Sequence, residues 1–443
     1  MRQWLTTIAL AGVMLGAAAS CQPAAGPARG GAARLDRSTT LAGLPSAAAV
    51  TREPTMRVRI ARHVDRVNLD APGEVLVRSA STSAGAAAST LRLRPPATIT
   101  HDGAQFIMRA GDGATHTWRL GGLRVTVVGG GPMTLAGRRY PDDLVLVALA
   151  DADGRATRRF DVVNHVPMET YLPGVLEREL FGNWTQQAFD AQAIAARSYA
   201  LFERHLHGGR HYDIESTVAS QAYGGAASNP RAIAAAQNTR GLVVHGDRVV
   251  PGFYSSACGG RTQTAVAAFT RFGNTLAIPP LRGGATCDHC QPSPNHRWGP
   301  VTRDARALAD RIAAWGRANR DAVGELDGLA SVRISHESRA GRPARFELTD
   351  RRGRRFALPA ESFRFASNHA HARHGDVPRE QQLRSSDVQV RQVGSQVRFH
   401  DGRGHGHGAG LCQWGAQGMA RRGDDGQAIV RHYYPDAELR RLY

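Results

Sequence analysis

The chain has 443 residues, 42% hydrophobic and 21% charged. It can therefore bury a sizeable core, as two domains or as one large domain with a subdomain. Its formal net charge is +18 and it contains no lysine, so every one of those positive side chains is arginine. Such a field favours polyanionic surfaces, among them anionic lipid, cell-wall polymer and nucleic acid. No nucleic-acid-binding motif is found, so no nucleic-acid partner is expected.

Arg2 precedes an apolar run, Leu5 to Ala19, that is too short to span a bilayer and has the length of a signal-peptide core. The run ends in Ala17-Ala18-Ala19-Ser20 immediately before Cys21, and so resembles a bacterial lipoprotein signal with Cys21 as the lipidated residue. Ala18 stands where leucine is usual, which leaves ordinary cleavage without lipid open. The expectation is export to the cell envelope, with residues 1–21 as signal and membrane attachment through Cys21. Residues 22–55, rich in Ala, Gly, Pro, Ser and Thr, read as a flexible tether.

From Met56 the pattern turns to alternation: Met56-Val58-Ile60, Val75-Val77, Leu91-Leu93, Phe106-Met108, Leu123-Val125-Val127 and Leu144 to Val147. Glycine and aspartate turns separate these runs, which predicts an antiparallel β-rich region over 56–163, with a loop at 79–90. Val166-Pro167 is extended, because the residue before proline avoids the α region. A helix then carries Tyr171, Leu172, Val175 and Leu176 on one side, and Gly182-Asn183 ends it. A second, alanine-rich helix runs from a Thr185 cap to about His205. Its small residues permit close packing, so Glu177, Glu179, Gln192 and Arg197 lie on or beside a helix–helix interface, either as chemistry or as an ordinary ion pair.

A short helix over 229–239 has Asn229 as cap and Pro230 at its first position. Leu242–Val244 and Val249-Val250 predict a hairpin about Gly246-Asp247. The run 252–260 predicts a strand that ends in a glycine turn. An amphipathic helix over 303–322, strands at Ala330–Ile334 and Ala344–Leu348, a polar loop at 365–385 and a strand near Val397–Phe399 follow.

Three islands stand out: 164–201, 252–260 and 402–419. VPMETYLPGVLEREL at 166–180 with AQAIAARSYAL at 191–201 resembles the defining segment of the stage II sporulation protein D (SpoIID/LytB) family. Later signatures are similar too: QAYGG at 221–225, GFYSSACGGRT at 252–262, SPNHRW at 293–298, GHGAGLCQWGAQGMARRG at 406–423 and HYYPDAEL at 432–439. The resemblance spans roughly Met56 to Tyr443 and implies a catalytic region at 164–443. It also implies an α+β fold: an antiparallel β-rich body, a packed helical pair carrying the active site, and two lobes around a glycan cleft.

The activity implied by the resemblance is that of a peptidoglycan lytic transglycosylase, which breaks the MurNAc-β-1,4-GlcNAc bond and leaves 1,6-anhydro-MurNAc ends. The alternative is a non-catalytic peptidoglycan-binding modulator of a cell-wall amidase. Glycosidases use two carboxylates; a transglycosylase can use one, because the sugar's own C6 hydroxyl attacks C1. The family pattern puts that acid/base at Glu179, four residues beyond the YLPGV run. Glu177 falls on another helix face and reads as surface, and Glu169 as a partner of a helix N-terminus. The resemblance further implies substrate contacts from Arg197, Gln192, Gln221, Tyr223, Tyr254, Ser255, Ser256, His407 and Gln413. For Arg197 three roles stay open: holding a substrate group, stabilising ionised Glu179, or structure alone. Trp414 fits either sugar stacking or the core, and His405 receives no role.

Some members carry zinc in the loop before the QxY; here Glu215, Ala219 and Ser220 occupy the ligand positions, so that site is absent and no metal or other cofactor is expected. Cys287-x-His289-Cys290, His296 and the His405/His407 pair could hold zinc. In an exported chain a disulfide is the preferred reading, Cys258 with Cys287 or Cys290, and Cys412 is then a buried thiol.

Overall fold

The structure, a computed structural model, describes residues 50–80, 90–119, 121–218 and 220–443. The expected signal segment with Cys21, most of the tether and most of the 79–90 loop lie outside them. The chain has an α+β fold built mainly on antiparallel sheets. In a seven-stranded sheet the order is Ile214–Glu215, Thr55–Val64, Ala156–Pro167, Asp143–Ala150, Gly122–Val127, Val75–Ser79, Leu91–Leu93. A six-stranded sheet has Arg138–Tyr140, Met133–Leu135, Arg66–Asp70, Ala97–His101, Phe106–Ala110 and Thr115–Trp118 in that order. Alternation explains the packing: Val75, Val77, Leu123 and Val125 of one sheet and Phe106 and Met108 of the other are fully buried in one shared hydrophobic core. Ile60 is only partly buried, since register shifts after Arg59 break the alternation of its strand.

The strand Ala156–Pro167 runs directly into helix α1, Met168–Glu179, with Pro167 extended at its N-cap. Helix α2, Gln186–Leu206, follows and is buried along most of its length, including Ala188, Ala191, Ala195, Ala196 and Ala200. Thr185 is at its N-cap but its side chain caps nothing in α2; the hydroxyl donates instead to Gln417 Oε1 at 3.0 Å. Small residues let the backbone close in on these helices. A Cβ on Gly252 would sit 2.1 Å from the Ala195 carbonyl oxygen, and one on Gly174 would sit 2.1 Å from the Gly225 carbonyl oxygen and 2.7 Å from the Tyr223 ring.

A second hydrophobic core lies within 298–399, around Leu308, Ile312, Phe346, Leu348, Phe363 and Phe399. The helices Ala305–Asn319 and Ala360–Ser367 pack there with two three-stranded sheets. The chain enters and leaves this part through adjacent segments, Arg297–Trp298 being paired antiparallel with Gly402–Arg403.

Several expectations change. The strand Leu242–His245 pairs with Glu438–Arg441 rather than forming a regular hairpin with 249–250; a single His245–Val249 bridge remains of that hairpin. The two strands near 331–349 acquire a third, Arg355–Pro359. Part of the expected 365–385 loop is instead the end of the helix Ala360–Ser367 and a short 3-10 turn, Arg379–Gln381.

The Gly174 contact yields a direct test. Gly174→Ala should lower stability by ~1–3 kcal/mol through overpacking, read as a lower urea midpoint with an unchanged slope.

Candidate active site

Glu179 is the last residue of α1 and its side chain is 2% exposed. Helical spacing explains this: it falls one turn beyond Val175 and Leu176, on their buried face, while Arg178 between them is exposed. Its Oε1 accepts from the Ala222 backbone N–H at 3.2 Å, and its Oε2 accepts from Gln413 Nε2 at 3.4 Å. The Tyr254 side chain also hydrogen-bonds to it. Burial without a charged partner pushes the Glu179 carboxyl up to about 8, the three hydrogen bonds pulling weakly the other way. It is therefore protonated at neutral pH, the state a general acid needs.

Three separated stretches thus meet at one carboxyl. Ala222 lies in the QAYGG loop, Tyr254 on the strand Tyr254–Ser255, and Gln413 at the start of the helix Gln413–Arg421. The last two are joined by a short parallel pair, Tyr254 opposite Leu411 and Ser255 opposite Cys412. Beside them is an aromatic cluster that sequence reasoning missed except for Trp414. Phe181 and Trp184 have ring centroids 5.4 Å apart, and Trp414 is 5.8 Å from Phe181 and 5.2 Å from Trp184. Phe181 and Trp414 are half-buried and Trp184 is buried. The signal was the Phe181-Gly-Asn-Trp184 turn directly after Glu179, which reads as a helix break until its rings are placed. A concavity of about 280 Å³ takes in Trp414, Gln417 and Arg421, whereas a larger one of about 680 Å³ lies elsewhere, lined by residues such as Thr264, Asn274 and Arg345.

The other expected site residues divide. Ser255, Ser256, Gln192 and His407 are buried with polar atoms that have no hydrogen-bond partner, as is the Gln413 carbonyl oxygen. His407 accepts from the Ala409 N–H at 3.0 Å through Nδ1 and packs on Phe269, 4.8 Å between centroids. Burial lowers its pKa to about 4, so it is neutral.

Three of the residues expected to contact substrate have their polar groups engaged within the protein. Arg197 is fully buried and does not touch Glu179. Its Nε and Nη2 donate to Glu169 at 2.9 and 2.6 Å, and Nη1 donates to the Leu242 carbonyl at 2.8 Å. Of the roles left open for it, structure is the one the geometry fits. Gln221 is consumed internally, accepting from the Tyr171 hydroxyl and donating to the Ala196 carbonyl. Tyr223 donates to Asn164 Oδ1 at 2.9 Å and packs its ring near Tyr171, so it supports the loop that presents Ala222. Glu169 stands in the first turn of α1, but its carboxylate is taken by Arg197, the Gly241 N–H and the Tyr443 hydroxyl. Glu177 is not free surface either: it accepts from Ser228 N–H, Ser228 Oγ and Asn229 N–H and fixes the start of the helix Pro230–Asn238. The expected disulfide is absent, since all four described cysteines are free and the sulfurs of Cys258 and Cys290 are 3.9 Å apart, beyond the bonded ~2.05 Å.

With this geometry in place, comparison with known proteins places the chain. Residues 156–245 match the SpoIID family model, described as stage II sporulation protein. Over that segment the chain is similar to the SpoIID family. The matched segment contains Glu179, Arg197 and Ala222 but ends before Tyr254, His407 and Gln413. An uncharacterised protein of Brachyspira hyodysenteriae is 27% identical over 312 residues, which cover 69% of this chain and 73% of that protein. The amidase enhancer of Bacillus subtilis is 24% identical over 60% of this chain but only 40% of its own length. Stage II sporulation protein D of Bacillus amyloliquefaciens is 24% identical over 62% of this chain and 75% of its own length.

Two outcomes follow. Arg197→Leu leaves the largely buried Glu169 without its cationic partner and should lower stability by ~3–5 kcal/mol; a full loss of substrate affinity with unchanged unfolding would contradict the structural role. A carboxyl whose pKa rises from 4.5 to about 8 on folding contributes stability that is present below pH 4.5 and is lost as pH rises toward 8. Glu179→Gln should therefore become progressively more stable than the parent chain across that window in urea titrations, with the difference levelling off above it.

Proposed function

We propose that this chain is a peptidoglycan lytic transglycosylase acting on the MurNAc-β-1,4-GlcNAc bond, with Glu179 as its single acid/base. The observation that carries the proposal is a buried carboxyl raised to about 8 by desolvation, with only neutral groups acting on it. Glu177 and Glu169 are each tied up elsewhere, so neither is the second carboxylate that a hydrolase of the two-acid type requires.

The step balances on one residue. Protonated Glu179 gives its proton to the glycosidic oxygen as the C1–O bond breaks and positive charge grows on the sugar ring. The resulting carboxylate takes the proton from the C6 hydroxyl as O6 bonds to C1, which closes the 1,6-anhydro ring and restores the acid. The Ala222 N–H and the Tyr254 and Gln413 side chains then hydrogen-bond to the charge on Glu179 between the two transfers. The unpartnered hydroxyls of Ser255 and Ser256 and the amide of Gln192 fit a wall that gains its partners from sugar hydroxyl and acetamido groups, since leaving them unmade costs ~1–3 kcal/mol each. Half-buried Phe181 and Trp414 offer apolar faces for a sugar ring. Glu179 itself is covered, so glycan binding in the proposed cleft must displace side chains over it.

That cover also favours a second reading: a non-catalytic peptidoglycan-binding modulator of a wall amidase, in keeping with the name of the amidase enhancer relative. Export, lipidation at Cys21 and a place in the cell envelope remain part of the proposal; no helix among the described residues is long and apolar enough to cross a membrane.

Digestion of purified glycan strands, with and without stem peptides, separates the two readings by mass spectrometry of the products. The parent chain should release fragments with 1,6-anhydro ends. Glu179→Gln should lose ~10²–10⁴-fold or more in rate while still binding the strands, and Glu177→Gln should keep cleaving. Cleavage should decline as pH rises past about 8, where Glu179 ionises. Release of reducing ends instead, or binding without cleavage on every strand, would remove the transglycosylase reading.

A further inference from the structure

Four cysteines drawn from three distant segments converge in the core. Cys258, Cys287, Cys290 and Cys412 are all buried, and their sulfurs lie within 4.8 Å of one another. A single tetrahedral ion with ~2.3 Å metal–sulfur bonds sets its ligand sulfurs ~3.8 Å apart. The Cys258–Cys290 separation of 3.9 Å agrees with that edge. A cubane iron–sulfur cluster needs its cysteines spread further, around several irons. Two of the four are a Cys-x-x-Cys pair, Cys287-Asp288-His289-Cys290, on a 3-10 turn, a spacing that lets two thiolates bind one ion.

The surroundings are those of a thiolate ligand set. Cys412 Sγ accepts from the backbone N–H groups of Cys258 at 3.2 Å and Gly415 at 3.3 Å. The Tyr433 hydroxyl is 3.0 Å from Cys287 Sγ, and His296 Nδ1 is 3.2 Å from Cys290 Sγ. Outer hydrogen bonds of this kind orient ligands and stabilise their charge. The backbone is shaped to allow the approach: a Cβ on Gly415 would sit 2.5 Å from Cys287 Sγ. Gly259, directly after Cys258, has φ +72°, and a Cβ there would sit 2.5 Å from the Gly404 backbone nitrogen. The chain therefore turns sharply away from the sulfur, a turn that glycine makes without strain.

We propose that Cys258, Cys287, Cys290 and Cys412 bind one structural zinc ion. With all four positions filled by protein sulfur the site is closed, so the ion holds structure rather than performing chemistry. A zinc ion here takes the place of the disulfide, and of the metal-free chain, expected from the sequence. Its position gives it a purpose. Cys412 immediately precedes Gln413, and Cys258 follows Tyr254 by four residues, beyond the pair that joins Tyr254–Ser255 to Leu411–Cys412. The ion ties together the two segments that bring Tyr254 and Gln413 to the Glu179 carboxyl.

The test is metal content and coordination, which do not depend on whether the chain cleaves glycan. Protein expressed in zinc-containing medium and purified under reductant without chelator should hold one zinc per chain by elemental analysis. X-ray absorption should show a shell of sulfur alone at ~2.3 Å. Replacement by Co(II) should give the intense thiolate charge-transfer and red d–d bands of a tetrahedral sulfur site. Cys290→Ser and Cys412→Ser should lose the zinc; if either fails to fold, the parent chain's spectrum still decides. A chain without bound metal, intact masses showing disulfides in its place, iron instead of zinc, or a nitrogen- or oxygen-containing shell would overturn the proposal.

Discussion

The site depends on one electrostatic constraint: a carboxyl held out of water with no cation beside it. Burying a carboxylate is unfavourable unless it is paired, and an unpaired one takes up a proton instead. Glu179 is placed so by the geometry of α1, which puts it on the face of Val175 and Leu176 at the point where the helix stops. The chain has 56 arginines to offer, yet the arginine nearest in sequence, Arg178, points outward, and Arg197 on the facing helix is committed to Glu169. Keeping arginine away from Glu179 is what leaves its pKa near neutrality.

The Glu169–Arg197 pair is the counterpart of that arrangement. One carboxylate of α1, Glu169, is paired with a guanidinium; another, Glu179 at the opposite end of the same helix, meets only neutral donors. The pair joins the first turn of α1 to α2, and Arg197 extends to the start of the strand Leu242–His245, while Tyr443 near the chain's end closes on Glu169. The same two residue types therefore serve as a structural tie and as a proton source, the difference being set by which partners the packing admits.

Much of this was legible in the sequence because it rests on local rules. Helical spacing separated Glu179 from Glu177, Val166-Pro167 marked the strand-to-helix transition, and Asn229-Pro230 announced a helix whose Asn229 side chain does cap Arg231 N–H. What was not legible is which distant groups meet. Arg197 looked as close to the chemistry as Glu179 because both lie on packed helices; only the fold shows that its guanidinium reaches Glu169 and the Leu242 carbonyl. Gln221 and Tyr223 flank Ala222, and it is the backbone N–H of Ala222 that contacts Glu179, while the two side chains face Tyr171 and Asn164. Likewise Cys412 is 154 positions from Cys258 in sequence, a distance across which spacing carries no information and only topology places the sulfurs together.

The central claim is that Glu179 is a neutral acid in the resting protein, and it can be observed without substrate. An infrared difference titration between the parent chain and Glu179→Gln isolates the C=O stretch of this one protonated carboxyl. The band should be present at neutral pH and disappear with a midpoint near 8. A midpoint near 4.5, the ordinary glutamate value, would mean that the site holds a carboxylate and would contradict the account.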